Sequence, residues 1–244
     1  MSAFAELSAS SARQLVRNPK LIFSLAFSFG FILLLCIGLD AVLPVPFLEL
    51  NLGMILALGL LSIAFMGTTV PLVAMREHGT LRLFGTTPVS RLSFIVAQVP
   101  VRFAIGLAEA VVVLLIALLF GLDPLGALRF AVTVVVGLAL FFSLGFLFAA
   151  RARNSELATQ LTGLLPVIVL ATSGTAFPIE VYPEVVQVAF QVLPTTWFMQ
   201  AVNADLTGAA TFLPEPLLWL MMAAVAVVVA LVAARMFRWD AGEA

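Results

Sequence analysis

Two ionisable residues lie inside a long apolar stretch of the sequence, where charge is costly. Residues 92–122 are apolar apart from Arg102 and Glu109, which are seven positions apart. Seven positions are about two helical turns, so both side chains would lie on one helix face, about 10 Å apart. An ionised side chain at the centre of a bilayer costs roughly 2.5–3.5 kcal/mol and is a functional candidate by default. The pair could form a proton or ion pathway.

The same pair also has a structural interpretation. Arg102 could extend toward the cytoplasmic side while Glu109 is buried, neutral or paired at a subunit contact. A proton relay would need further acidic residues at depth, and the other apolar stretches contain none. The sequence therefore favours the structural interpretation and leaves an ion- or proton-coupled transporter built on Arg102 and Glu109 as an alternative.

No other set of residues in the sequence supports catalysis. His78 is the only histidine, Cys36 the only cysteine and Lys20 the only lysine. With one histidine, a single chain cannot assemble a two-histidine metal site. A Cys/His nucleophile pair or a catalytic triad could be built only around His78. A phosphate-binding loop needs a lysine after glycine, whereas Lys20 follows Pro19. We therefore expect a non-catalytic chain with no metal or cofactor of its own.

The elements that must position these residues are membrane-spanning helices. Of 244 residues, 63% are hydrophobic and 10% are charged, against roughly 45–50% and about 25% in a soluble domain. The long apolar stretches can each cross a hydrocarbon core of about 30 Å. The sequence predicts an all-α integral membrane protein with one domain, residues 1–244. Its six predicted spans are at about 21–43, 50–75, 92–121, 127–150, 157–177 and 213–235.

An external segment, residues 178–205, is predicted to hold re-entrant or interfacial helices instead of a seventh span. Within it, residues 185–204 lack charge but contain several glutamines and a central Pro194. Apolar residues recur at helical spacing beside the glutamines, which is typical of a helix that lies at the membrane interface or dips into it. We therefore count this segment as non-spanning.

The basic residues predict the orientation of the chain. With six spans, ten of the twelve lysines and arginines lie on one side, namely Arg13, Arg17, Lys20, Arg76, Arg82, Arg91, Arg151, Arg153, Arg235 and Arg238. The positive-inside rule makes that side cytoplasmic, so both termini are predicted to be cytoplasmic. The chain itself is predicted to be a multi-pass protein of the cell membrane, either a bacterial-type inner membrane or a plasma membrane. The net charge of −1 leaves no basic face for nucleic acid.

A short amphipathic helix is predicted on the cytoplasmic surface before the first span. Its apolar residues Phe4, Leu7, Leu15 and Val16 accompany Arg13 and Arg17, and the segment ends at Asn18-Pro19. The apolar run that follows is longer than a signal-peptide core and has no small-x-small cleavage site after it. We therefore expect a retained first span.

The most polar internal segment is the cytoplasmic loop 76–91, between the second and third spans. Gly79, Gly85 and Pro88 break it into a compact elbow. A short amphipathic segment with basic residues could simply lie on anionic lipid. An elbow of this shape is also suited to docking into a groove on another protein.

The same loop carries a resemblance to a known family. Residues 76–91 are similar to the E-x-G-T-L-x-x-L-x-x-T-P-x-S segment of type 2 ABC exporter permeases, the membrane subunits of ATP-driven exporters. Residues 177–196 resemble the family's F-P-x-x-x-x-P-x-W stretch and its L-P-x-T/S turn, with Val185 in place of the usual aromatic residue. Arg17-Asn18-Pro19 is similar to the R-D-P before the first span.

The resemblance implies a permease that pairs with a separate ATP-binding subunit. The assembly would contain two ATP-binding subunits, which bind ATP and Mg, and two permeases in a homodimer or a related heterodimer. The first cytoplasmic loop would be the coupling helix that contacts the ATPase, through Glu77, His78, Gly79, Thr80, Leu81, Phe84, Thr87 and Pro88. The external helices would cap the exit, and the second and fifth spans of two subunits would face each other.

Hydroxyl-bearing residues give the second and fifth spans a modest polarity. The candidate path residues are Met66, Thr68 and Thr69 on the second span and Thr172, Ser173 and Thr175 on the fifth. Such residues either bond to their own helix or line a path. A path of this kind would accept an amphipathic or lipid-like molecule, and its outward direction follows from the resemblance alone.

A membrane-embedded enzyme acting on a lipid is a further alternative to an exporter subunit. Such an enzyme would need paired acidic motifs at helix ends, and the sequence has only scattered single acids. Family members export drugs, antibiotics, lipids and polysaccharides, and no residue selects among these cargoes.

Overall fold

The computed structural model describes residues 13, 17, 19–81, 91–152, 154–172 and 181–237. Within these ranges the chain is helical and contains no strand. The helices are α1 (Pro19–Asp40), α2 (Phe47–Leu61), α3 (Val70–Glu77), α4 (Arg91–Leu119), α5 (Pro124–Arg151), α6 (Ser155–Thr172), α7 (Glu184–Gln191), α8 (Pro194–Thr207) and α9 (Glu215–Met236), and a π-helical segment, Ser62–Thr69, joins α2 to α3. The predicted amphipathic helix with Phe4, Leu7, Leu15 and Val16 lies outside the described residues.

Four helices are long and apolar enough to cross a membrane. They are Phe47–Glu77, Ala97–Leu119, Pro124–Arg151 and Glu215–Met236. In the described part of α1 and α6 the apolar stretches, Phe27–Asp40 and Ser155–Val169, are shorter. A multi-pass helical membrane protein is thus confirmed, whereas the count of six spans stays a prediction.

The helix Phe47–Glu77 runs continuously for 31 residues, but its hydrogen bonding changes in the middle. In the π-helical segment the N–H of Val70 donates to the carbonyl of Phe65, five residues earlier. Pro71 follows directly and has no N–H, so it cannot donate to the carbonyl of Gly67 as an α-helix would require. The π-helical segment is buried apart from Met66 and packs against α1, α4, α5 and α6.

Small residues let the helices approach one another closely, as in many membrane proteins. Gly137 on α5 leaves room for the ring of Phe198 on α8, which packs edge-on against Phe141 with 4.9 Å between ring centroids. A side chain at Gly145 would clash with the carbonyl oxygen of Ala64 in the π-helical segment. These two contacts hold α5 against α8 and against the centre of the bundle.

The described part of the external segment forms two helices that meet at Leu193-Pro194. Neither is long enough to be a candidate span. Helix α7 has no buried residue, whereas α8 buries Trp197, Phe198 and Met199 against its neighbours. In its described part, the external segment therefore consists of one surface helix and one helix that packs into the core.

Candidate docking site, path and intramembrane charges

The predicted elbow begins where α3 ends. Helix α3 stops at Glu77, and Gly79 has a φ of +70°, a left-handed conformation that favours glycine. His78 and Thr80 are exposed, whereas the side chain of Leu81 is fully buried in the chain. Exposed residues at this turn are available to a partner. Phe84, Thr87 and Pro88 lie outside the described residues.

Arg76 and Glu77, the last residues of α3, connect the elbow to other helices. The Arg76 guanidinium donates to the carbonyls of Ala149 and Ala152 at 3.0 and 3.3 Å, at the C-terminal end of α5. It also lies over the ring of Phe237, just after α9, at 5.5 Å from the centroid. A cation is favourable at a helix C-terminus and over an aromatic ring. The Glu77 carboxylate accepts from the N–H of Ser155 at 3.0 Å, the first residue of α6.

The threonines of the predicted path bond to main-chain carbonyls. Thr68 donates to Ile63 at 3.2 Å, Thr69 to Gly145 at 2.9 Å and Thr172 to Ile168 at 2.9 Å. Of the three, Thr69 alone reaches across to another helix, α5. Met66 is 39% exposed and presents an apolar side chain. Ser173 and Thr175 lie outside the described residues.

Arg102 on α4 is 6% exposed, and its guanidinium binds the main chain of a neighbouring helix. Its Nε donates to the carbonyl of Gly67 at 2.7 Å, and its Nη1 donates to the carbonyl and the side chain of Gln98 at 2.9 and 3.0 Å. Pro71 cannot supply the α-helical hydrogen bond to that Gly67 carbonyl, and Arg102 supplies one in its place. The side chain extends toward the start of α4 and ends buried.

Glu109 is also 6% exposed, but neither of its carboxyl oxygens has a hydrogen-bond partner within the described residues. Its Oε2 lies at the notch left by Gly59 on α2, next to the ring of Phe29 on α1. Glu109 is thus covered by its own chain and is not left at the surface for a second subunit. Arg102 and Glu109 face the same helix at two separate points.

A polar cluster that the sequence analysis did not identify joins α8 to α5 and α9. Trp219 Nε1 donates to Thr133 Oγ1 at 2.8 Å, and Thr133 donates to Asp205 Oδ2. Burial raises the pKa of Asp205 to about 7; the hydrogen bond from Thr133 acts in the opposite direction. Thr133 is the only polar residue among residues 130–142. Its position as a single polar residue in an apolar run was the one feature of the sequence that pointed to this cluster.

The fold and these contacts define an integral membrane protein of several spanning helices with a polar elbow at one end. The ABC-2 type transporter profile matches residues 2–206, and the chain belongs to that family. It is the permease component of an ABC transporter, a membrane component that is generally non-catalytic and normally works with an ATP-binding subunit. No curated protein matches the chain.

Proposed function

We propose that the chain is a six-span permease that exports an amphipathic or lipid-like molecule, driven by ATP hydrolysis in a separate subunit. Two ATP-binding subunits, each binding ATP and Mg, and a second permease, identical or related, complete the assembly. Family membership supports the permease role. Direction, cargo class and assembly follow from the motifs and the apolar character of the helices.

The observation that carries this proposal is the set of contacts behind the elbow. Arg76 joins the end of α3 to the end of α5 and to Phe237, and Glu77 joins it to the start of α6. A push on an isolated surface loop would move that loop alone. Because four elements meet behind this elbow, a push from a docked subunit reaches several spans at once.

The candidate path favours an apolar cargo over an ion. The hydroxyls of Thr68, Thr69 and Thr172 are engaged with carbonyls, so they do not offer a continuous polar lining. The side chain that the π-helical segment exposes belongs to Met66, which is flexible and apolar. An ion would need oxygen ligands to replace its water shell.

Docking can be tested by co-purification with the ATP-binding subunit. Thr80→Arg places a long charged side chain on the exposed elbow and should abolish co-purification. Thr207→Arg, an exposed threonine at the opposite end of the bundle, is the matched control and should co-purify normally. If Thr80→Arg retained full binding of the subunit, the elbow would not be its docking site.

Coupling can be tested separately from docking. Glu77→Ala removes the acceptor of the Ser155 N–H, so at equal amounts of bound ATP-binding subunit it should lower cargo-stimulated ATP hydrolysis about threefold, since one hydrogen bond contributes about 0.5–1.5 kcal/mol. Glu156→Ala, at an exposed acid in the first turn of α6, is the matched control. Equal ATP hydrolysis in the two variants would contradict the role assigned to Glu77.

A further inference from the structure

A cavity of about 310 Å³ lies at the end of the bundle opposite the elbow, the predicted external end. It is formed where α2 and α5 begin and where α4 and α8 end. Glu49, Phe120, Asp123, Arg129 and Asp205 are among the residues that line it. The elbow and the predicted path contribute no residue to this lining.

The lining of the cavity carries more negative than positive charge. Among the described residues that line the cavity, Arg129 is the basic one, and it also makes an ion pair with Glu215 at 3.5 Å. Glu49 lies in the first turn of α2, and Asp123 caps α5 by accepting from the N–H groups of Leu125 and Gly126. Both of these acids have a structural role, because each offsets the positive end of a helix.

Asp205 has no such role. It lies in the last turn of α8, where the negative end of the helix disfavours a carboxylate. It is 3% exposed, and only its Oδ2 accepts a hydrogen bond, from Thr133; its Oδ1 accepts none within the described residues. Buried polar atoms without a partner are rare in native structures. Asp205 therefore brings to the cavity lining a carboxyl oxygen that none of the described residues uses as an acceptor.

The cavity also presents an aromatic side chain. Phe120 lies just after the end of α4 and is 45% exposed. A cation is attracted to the face of an aromatic ring, and ammonium ligands are recognised in this way. Negative charge, an unused carboxyl oxygen and an accessible ring are the features that recognise an organic cation.

We propose that this cavity binds an organic ammonium group, with Asp205 as its counter-ion and Phe120 as its aromatic contact. A volume of about 310 Å³ is at the lower end of the range for ligand pockets, so the cavity holds a head group and not a whole lipid. The inference rests on the proposed function, since it names the polar part of an amphipathic cargo. The ammonium could belong to the cargo or to a lipid head group.

The binding should depend on pH. The pKa of Asp205 is about 7, because burial raises it. A cation prefers the ionised carboxylate, so below pH 7 a proton must leave before the cation binds. The charged groups around Asp205 on the neighbouring elements are Glu49 on α2, Asp123 and Arg129 at the start of α5, and Glu215 on α9. Affinity should therefore rise about tenfold between pH 6 and pH 8.

The test is calorimetric titration of the full-length chain in nanodiscs with n-butylammonium. Asp205→Asn should lower the affinity at least tenfold and remove its pH dependence, while Glu184→Gln, an exposed acid on α7 outside the cavity, should change neither. Phe120→Leu alters an exposed side chain, so it should fold normally and lower the affinity about threefold. Thermal unfolding of each variant confirms that it is folded.

Two lipid compositions separate the sources of the ammonium. If a lipid head group occupies the cavity, binding of the probe should be weaker in phosphatidylethanolamine than in an uncharged glycolipid, which has no ammonium group and does not attract the cation to the surface, and Asp205→Asn should abolish that difference. If the cargo supplies the group, the affinity should be equal in both. Either result supports the site. Absence of binding, or equal binding by the wild type and Asp205→Asn at pH 8, would overturn it, whereas failure of co-purification in the wild type would instead overturn the proposed function.

Discussion

Arg102 and Glu109 lie on the same helix, face the same neighbouring helix and are equally buried, but their surroundings differ. Arg102 meets the Gly67 carbonyl, to which Pro71 cannot donate, and its guanidinium donates to that oxygen. Glu109 meets Gly59, which offers space but no donor. The contrast shows that burial of a charged residue in a membrane bundle does not by itself indicate its role. The groups opposite the side chain separate a structural contact from an unsatisfied one.

The contrast predicts opposite effects of removing the two charges. Arg102→Met should lower the free energy of unfolding by about 2–3 kcal/mol, because the charge-assisted hydrogen bonds are lost and the Gly67 carbonyl is left without this donor. In the unfolded reference state the helices remain inserted in the membrane. The free-energy cost of keeping Arg102 in the membrane is therefore present in both the folded and the unfolded state and largely cancels. Arg102→Lys, which keeps one donor group, should lose less. Unfolding in mixed micelles measures the change, and a value near zero would show that the Gly67 contact is unimportant.

Glu109→Met should raise the free energy of unfolding by about 1–2 kcal/mol, because it replaces an unpartnered buried polar group by an apolar one of similar size. The same unfolding assay measures it. ATP-driven transport should be unchanged in this variant. Loss of transport with normal binding of the ATP-binding subunit, together with dependence on a proton gradient, would favour the ion-coupled alternative.

Gly59→Ala should have the smallest effect, a loss of about 1 kcal/mol. The new methyl group would meet the carboxyl of Glu109 and the ring of Phe29, and the flexible carboxyl can move aside. In a Glu109→Ala background the loss should shrink, because the space is then free. An unchanged penalty in the double variant would show that Glu109 does not occupy the notch in solution.

The helices were predictable because charges and prolines mark their ends. The predicted spans 50–75 and 127–150 lie within Phe47–Glu77 and Pro124–Arg151, since charged residues flank long apolar runs. The partners of the intramembrane charges could not be predicted. A carbonyl released by a proline on another helix, or a notch left by a glycine, has no side-chain pattern that links it to its partner.

The burial of Asp205 was unpredictable for a related reason. A carboxylate near a helix end is usually exposed, and no residue pattern in the sequence marks Asp205 as an exception. Helix α8 instead packs into the bundle through Trp197, Phe198 and Met199, and this buries Asp205 against Thr133. Tertiary packing of a non-spanning helix decided the exposure of this side chain.

The π-helical segment Ser62–Thr69 lies in the middle of the continuous helix Phe47–Glu77. It rotates α3 about the helix axis relative to α2 by an angle that a uniform α-helix would not have. A π turn accommodates an extra residue compared with an α-helical turn. If the extra residue of the π turn were absorbed into the α-helix, α3 would rotate by about 100° and shift by about 1.5 Å relative to α2. The bonds from Thr69 to Gly145 and from Arg102 to Gly67 oppose that screw motion. The elbow would rotate with α3, so these two bonds contribute to the resistance of the elbow to rotation about the axis of the helix.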